Sequence, residues 1–295
     1  MNDDLGDRQK LYEGIESDRR FMPLLPICCR LDGKNFSKFT KGLKRPHDTL
    51  FSRLMLNTTY ELVKETCACI GYTQSDEISL VYYSNDIKSQ VFFDGRIQKM
   101  CSVLASMCSV YFNGLLQGIA EEMNESAKNE MDKQEALVWS KKANQSPIFD
   151  CRVWTVPNQI EACNYLAFRE HDATRNSISM AASEYYSDKE LFKKNSSEKQ
   201  ELLFSKGINW NNYPIHFKRG TYIQRRKVLR PFTTEEIDNL PEKHEAINNP
   251  NLMVERTEVR ELDLPPLNKV INKIEVVFEG KDPIINEEKN ENKTN

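Results

Sequence analysis

Apolar residues recur along this chain with two different periods. Between Pro23 and Gly33 the stretch PLLPICCRLDG is a short apolar run ending in Asp-Gly, which reads as a buried strand and a tight turn. Asp48 stands where a helix N-cap belongs, and Leu50, Phe51, Leu54, Met55 and Leu62 follow at near-helical spacing. Gly71 then breaks the chain before YTQSDEISLVYY (Tyr72–Tyr83). The second half of that stretch, from Ile78 to Tyr83, is β-branched, aliphatic and aromatic and predicts a core strand. Arg96–Leu116 is the clearest helix, with Ile97, Met100, Cys101, Leu104, Met107, Cys108, Tyr111 and Leu115 along one face. From about 120 to 146 the sequence is polar and predicts an insertion, helical or looped. Phe149, Val153 and Val156 return to strand character, and 159–186 supports a long helix.

Strands alternating with helices in this way predict an α+β fold. The ferredoxin-like split βαβ arrangement is the smallest topology that fits: an antiparallel sheet with helices on one face. We expect a catalytic unit over 1–186, a C-terminal region over 187–280 and a disordered tail over 281–295. Within the C-terminal region FKRGTYIQRRKVLR is basic, and VERTEVRELDLPP and VINKIEVVF are candidate edge strands.

Composition narrows the function classes. The chain has 295 residues, a net charge of −3 and 39% hydrophobic residues, so any nucleic-acid binding must rest on local patches. No run of 18 apolar residues suggests a membrane span, and the polar N-terminus does not look like a signal peptide. Eight cysteines, several on apolar stretches and none at zinc-site spacing, suit reduced thiols in the cytoplasm.

The unusual feature is the pair Asp76–Glu77 at the entrance of a core strand. Adjacent like charges repel, and burying either one alone is expensive. With Asp32 at the end of another strand, they can project into a shared crevice. Two such carboxylates and the carbonyl of Gly33, completed by phosphate oxygens and water, describe a hard-cation site for Mg2+, and two such ions suit phosphoryl transfer. Acid pairs at strand ends also serve as turn formers on a solvated surface. Lys34, Lys38, Lys41, Lys44 and Arg45 follow Asp32 with no acid among them, which suits a triphosphate as well as a solvated turn. No P-loop is present. Arg169, Glu170, His171, Asp172, Arg175 and Asn176 cluster on one predicted helix and read equally as an exposed polar face. Trp210, Tyr213, Phe217 and Tyr222 alternate with Lys218, Arg219, Arg225 and Arg226, a pattern that stacks bases and tracks phosphates, or builds an edge strand.

RLDGKNFSKF, YTQSDEISLVYY, REHDATRN and ELLFSKGINWNNYPIHFKRGTY together resemble the tRNA-His guanylyltransferase family, in its guanylyltransferase-like branch. The resemblance runs from about Phe21 to Val228. It implies a polymerase-like palm that extends tRNA at its 5′ end, in the 3′-to-5′ direction. ATP activates a 5′-monophosphate, which the 3′-hydroxyl of GTP or another NTP then attacks. It implies Asp32, Gly33 and Asp76 as ligands of two Mg2+ ions, with Glu77 also needed. Lys34, Asn35, Phe36, Ser37, Arg45 and Ser75 would contact the nucleotide, and Arg175, Asn176, Lys199 and Asn209 would join the basic segment in binding tRNA. Family members commonly form homotetramers. Thr174–Ser177 reads TRNS where eukaryotic members carry HINN, which favours templated 5′-end repair over G−1 addition. Ser37 stands where the eukaryotic branch often has His. The other readings are a palm-fold nucleotide cyclase and a non-catalytic RNA-binding protein.

Overall fold

The computed structural model describes residues 4–241, 243–249 and 251–285. The N-terminal half holds α1 (Asp4–Ser17), β1 (Ile27–Gly33), the single turn α2 (Phe36–Phe39), α3 (Thr49–Thr66), β2 (Ile70–Gln74) and β3 (Glu77–Tyr82). Next come α4 (Ile97–Ser126), α5 (Glu130–Ala143), β4 (Phe149–Thr155) and α6 (Gln159–Ser183). Three short helices, α7 (Asp188–Leu191), α8 (Ser196–Ser205) and α9 (Ile215–Arg219), lead into β5 (Thr221–Pro231). After α10 (Thr234–Asp238) and α11 (Glu245–Asn248), β6 (Met253–Leu262) completes one antiparallel sheet of order β4-β1-β3-β2-β5-β6.

The expected α+β, ferredoxin-like palm is present, with one strand more than the sequence suggested. YTQSDEISLVYY is a hairpin, not the approach to a single strand: Gln74 pairs with Glu77, and Ser75 and Asp76 form the turn. Ser75 sits at φ 54°, a region that disfavours side chains by roughly 1–2 kcal/mol. The turn lacks the Asn-Gly that advertises most two-residue hairpins, which hid it.

Both faces of the sheet are covered, where one was expected to be. Cys29, Leu31, Ile78 and Leu80 face α3 and α4, while Cys28, Ile70, Tyr72 and Val81 face α6 and the C-terminal segment. Successive residues of β1 thus enter different cores, which explains the unbroken apolar run in PICC. On α4 the fully buried residues are Met100, Leu104, Cys108, Phe112, Leu116 and Ala120, one line at four-residue spacing. The helix extends well past its expected end. The polar stretch after Ala120 continues into an antiparallel helical pair, with α5 started by a capping box between Asn129 and Asp132 and seated by Ala136 and Trp139. By length and composition α4 resembles a membrane span; its buried line packs instead on the sheet.

Strand β5 pairs with β2 only from Thr221 to Ile223 and beyond that with β6 alone, so the two form a projecting ribbon. Across it run Lys227–Glu255 and Arg230–Glu258 ion pairs, and Arg230 and Arg256 both pair with Glu236 of α10. VINKIEVVF is not an edge strand. It turns back as a helical segment, burying Val276 and Val277, and their carbonyls accept from Gln224 Nε2 at 2.8 and 2.9 Å. Of the expected disordered tail, 281–285 is held by Asn272, whose side chain bonds Asp282 and Ile284, and 286–295 lie outside the described residues.

Helix α3 lies flush on β2 because Gly71 has no side chain. A Cβ there would meet Val63 Cγ2 at 2.6 Å and Thr59 Cγ2 at 2.9 Å. Gly71→Ala is expected to destabilise the fold by about 1–3 kcal/mol in urea titrations. The loss should be smaller in a Val63→Ala background, because the two side chains compete for one space.

Candidate active site

Strand β1 delivers Asp32 to the open end of the sheet, where it stands opposite Glu77 of β3 and Asp150 of β4. The Gly33 amide donates to the Asp76 carbonyl at 3.1 Å, clamping the end of β1 against the hairpin turn. A side chain on Gly33 would collide with the Phe36 ring, its Cβ only 2.3 Å from Cδ2. Phe36 therefore lies directly beneath Gly33. It packs 4.9 Å from both Phe39 and Phe149 and 5.5 Å from Phe112, centroid to centroid. This aromatic cluster anchors a chain that reverses through Asn35 at φ 58°.

The three carboxylates are not equivalent. Glu77 accepts from Arg169 through Nε at 2.6 Å and Nη2 at 2.5 Å, a two-pronged bond from α6. Arg30 Nε lies 3.1 Å from the same carboxylate without forming an aligned hydrogen bond. Burial pushes the Glu77 carboxyl above its ordinary value, and Arg169 and Arg30 oppose that. Among the described residues Asp76 has no such two-pronged partner, and Arg30 acts on it only through its charge. Burial raises its pKa, the neighbouring Asp32 charge raises it further, and the Ser75 hydroxyl lowers it. Among the described residues Asp32 has only Arg30 Nη2, at 3.7 Å. Arginines thus engage one acid closely, while Asp32 and Asp76, near enough for the charge of one to raise the pKa of the other, keep an excess of negative charge.

Beside the turn is a cavity of about 130 Å³ whose walls include Gln74, Ser75, Lys44, Arg45, His47 and His216. His47 stacks on Phe217 at 5.0 Å and lies 5.8 Å from His216. Burial lowers the pKa of both imidazoles, opposed at His47 by the charge of Asp48 and reinforced at His216 by His47. Sequence reasoning missed this pair because no spacing links residues so distant along the chain.

A family model described as tRNAHis guanylyltransferase matches residues 7–157. The chain belongs to the tRNAHis guanylyltransferase family. It is accordingly a nucleotidyltransferase. The tRNA(His) guanylyltransferase of Saccharomyces cerevisiae is 28% identical over 242 residues, covering 77% of this chain and 94% of that one. An uncharacterised protein of Acanthamoeba polyphaga mimivirus is 29% identical over 239 residues, covering 77% of this chain and 79% of its own. Among solved structures, a bacterial tRNA(His) guanylyltransferase-like protein in complex with ATP superimposes with a TM-score of 0.68 at 27% identity. That match covers 93% of this chain and 99% of the other.

On the guanylyltransferase palm, Lys34, Asn35 and Ser37 are exposed around α2, whose first amides have no partner within the helix. Phe36 is 2% exposed, so its ring belongs to the core and only its backbone remains for a ligand. Arg45 is exposed, 3.6 Å from Glu184, and Lys44 bonds Glu135 at 2.6 Å.

The residues read as an RNA surface divide in two. Arg175 and Asn176 are exposed on α6. Lys199 donates to Ser179, Lys218 donates to the Asn211 carbonyl, and the Asn209 side chain caps the following turn. Arg219 is engaged internally, by Glu170 at 2.8 Å and the Leu264 carbonyl at 2.5 Å. Arg226 is likewise held by Gln224 and Asp282. Arg225 donates to the Lys64 carbonyl at the end of α3. As neighbours on a strand, Arg225 and Arg226 point to opposite faces and form no joint patch. Phe217 and Tyr222 are core residues, unavailable for stacking on bases. Nor is the Arg169–Glu170 part of α6 an exposed polar face. Glu170 is buried and accepts from Arg219, Tyr222 and the Leu267 amide.

The raised Asp76 pKa has a sign that can be tested. A carboxyl that binds its proton more tightly when folded opposes folding at any pH above its folded value. That opposition fades as pH falls through the raised pKa, and vanishes below the ordinary 3.8. Asp76→Asn, which keeps the backbone bond to Gly33, is therefore expected to raise the melting temperature at pH 7–8 without divalent ions. The gain should shrink towards pH 4 in a calorimetric series.

Proposed function

We propose that the chain adds nucleotides to the 5′ end of tRNA in the 3′-to-5′ direction, and that its task is templated 5′-end repair rather than G−1 addition to tRNA-His. The observation that carries the chemistry is the Asp32–Asp76 pair, two hard-oxygen donors with no closely bound cation among the described residues, beside a hairpin turn whose Ser75 lines the neighbouring cavity. Among the described residues no three metal-ligating side chains converge, so a cation here takes its other ligands from phosphates and water, as Mg2+ does. Asp32 and Asp76, with the Gly33 carbonyl, would hold two Mg2+ ions, which when bound supply charge neutralisation at the phosphates undergoing transfer.

The protein's own groups position the reactants. In the first step an oxygen of the RNA 5′-monophosphate attacks the α-phosphorus of ATP, and pyrophosphate leaves. In the second the 3′-hydroxyl of an NTP attacks the activated 5′-phosphorus, and AMP leaves. Lys34, Lys44, Arg45 and the first amides of α2 offset the repulsion between triphosphate and 5′-phosphate. Ser75 and the cavity beside it receive the nucleoside. Glu77, bonded to Arg169, holds the hairpin in register under the reacting groups. Arg175, Asn176, Lys199, Asn209 and Lys218 form the RNA-facing side. Bacterial relatives solved with ATP and with GTP support this choice of nucleotides. The TRNS sequence at Thr174–Ser177 supports repair. We extend the proposal to a homotetramer in a reducing cytoplasm, in keeping with eight free cysteines.

The test is a primerless extension assay with ATP, labelled NTP, Mg2+ and a 5′-truncated tRNA bearing matched or mismatched template nucleotides. Template-dependent lengthening is expected, and a cyclic nucleotide or untemplated single G addition would overturn the reading. Asp32→Ala and Asp76→Ala are each expected to lower turnover by about 10²–10³-fold or more with an unchanged circular dichroism spectrum.

A further inference from the structure

The segment between α2 and α3 carries Lys44 and Arg45, yet it has no regular structure from 41 to 47. Its path is set by a distant helix. Lys142, in the last turn of α5, is only 5% exposed. Its ammonium group donates to the Phe39 carbonyl and, at 2.7 Å, to the Lys41 carbonyl. The same group lies 5.4 Å from the centre of the Phe39 ring. Phe39 is the last residue of α2, so its carbonyl has no partner within the helix.

No ion pair compensates Lys142 among the described residues, and burial alone pulls its pKa below the usual 10.5. A desolvated charge without a counter-ion costs stability. A methionine would fill much of the same space without that cost. What methionine lacks is a donor for two carbonyls just before the cationic stretch. Trp139, one turn earlier on α5, is 1% exposed, and Glu135 holds Lys44 at 2.6 Å. Lys142 thus sits at the head of a row of α5 side chains that carries the loop towards the cavity beside Ser75.

We propose that Lys142 is a positioning residue of the nucleotide site: by tying the carbonyls of Phe39 and Lys41 to α5, it sets where Lys44 and Arg45 meet the triphosphate. This rests on the nucleotide reading given above. It touches no reacting atom, so its loss weakens ground-state binding and leaves the chemical step alone.

The experiment compares wild type, Lys142→Met and Lys142→Arg in steady-state extension, direct NTP titration and amide hydrogen exchange. Lys142→Met is expected to raise KM and Kd for NTP about tenfold, with kcat within about twofold, the pattern of lost uniform binding. Exchange should quicken at the protected amides of Thr40, Lys41, Leu43 and Lys44 and not in α3 or β1. Lys142→Arg, which keeps a donor, should recover NTP binding to within about threefold of wild type. If Lys142→Met does not fold, Lys142→Gln decides, since its shorter amide reaches at most one carbonyl. KM raised at constant kcat supports the proposal, and unchanged KM overturns it. A Lys142→Met protein that binds NTP normally, or loses kcat together with melting temperature, overturns the inference alone. Wild-type protein that binds no NTP overturns it together with the nucleotide reading.

Discussion

Two carboxylates at one end of the sheet, neither closely bonded by a cation among the described residues, are the constraint around which this molecule is arranged. Asp32 and Asp76 come from a strand end and a hairpin turn, and the Gly33–Asp76 backbone bond keeps those two pieces in contact. Left alone, three neighbouring acids would drive the hairpin away from β1. The fold answers by giving Glu77 to Arg169 and Arg30. One negative charge is then matched inside the protein, and the residual repulsion between the other two is directed outwards, where a cation can use it.

The surroundings serve that geometry. Phe36 packs beneath a glycine that tolerates no side chain, so the chain leaving Asp32 is fixed within a residue or two of the reacting end. Burial of the sheet on both faces makes β1 and β3 rigid. Helix α6 covers the second face and also supplies Arg169, so packing and electrostatics are coupled in one element. At its next residue, Glu170 gathers Arg219, Tyr222 and the Leu267 amide. The chain after β6 is thereby tied to the helix that supports the carboxylates.

The palm was legible because its signals are local. The apolar run before Asp32, the helical stripe on α4 and the Ile78–Tyr83 run each predict their own element. The Ser75–Asp76 turn was not, since its backbone is held by strand pairing rather than by a glycine. Residues that looked alike in sequence also met different fates. Arg169 and Arg175 lie on one helix, but only the first faces the sheet. Arg225 and Arg226 are adjacent, but pleating sends them apart. The cavity histidines, and the lysine on α5 that reaches the loop after α2, depend on contacts between distant segments, to which periodicity is blind. VINKIEVVF has strand composition throughout, yet side-chain bonds from Gln224 take up its carbonyls and burial takes its valines.

The ribbon of β5 and β6 has a consequence for how the molecule behaves in a crowded solution. Among the described residues no strand covers the outer side of β6, so a row of backbone donors and acceptors stands open to another extended chain. Glu255, Arg256, Glu258 and Arg260 along that strand, and the Arg230 and Lys227 pairs that bind two of them, bring alternating charge to the margin. A second strand sliding in at random register would set like charges against like and strip water from ion pairs. The guard is electrostatic, so dissolved salt weakens it, and the protection of this margin depends on ionic strength rather than on the fold alone.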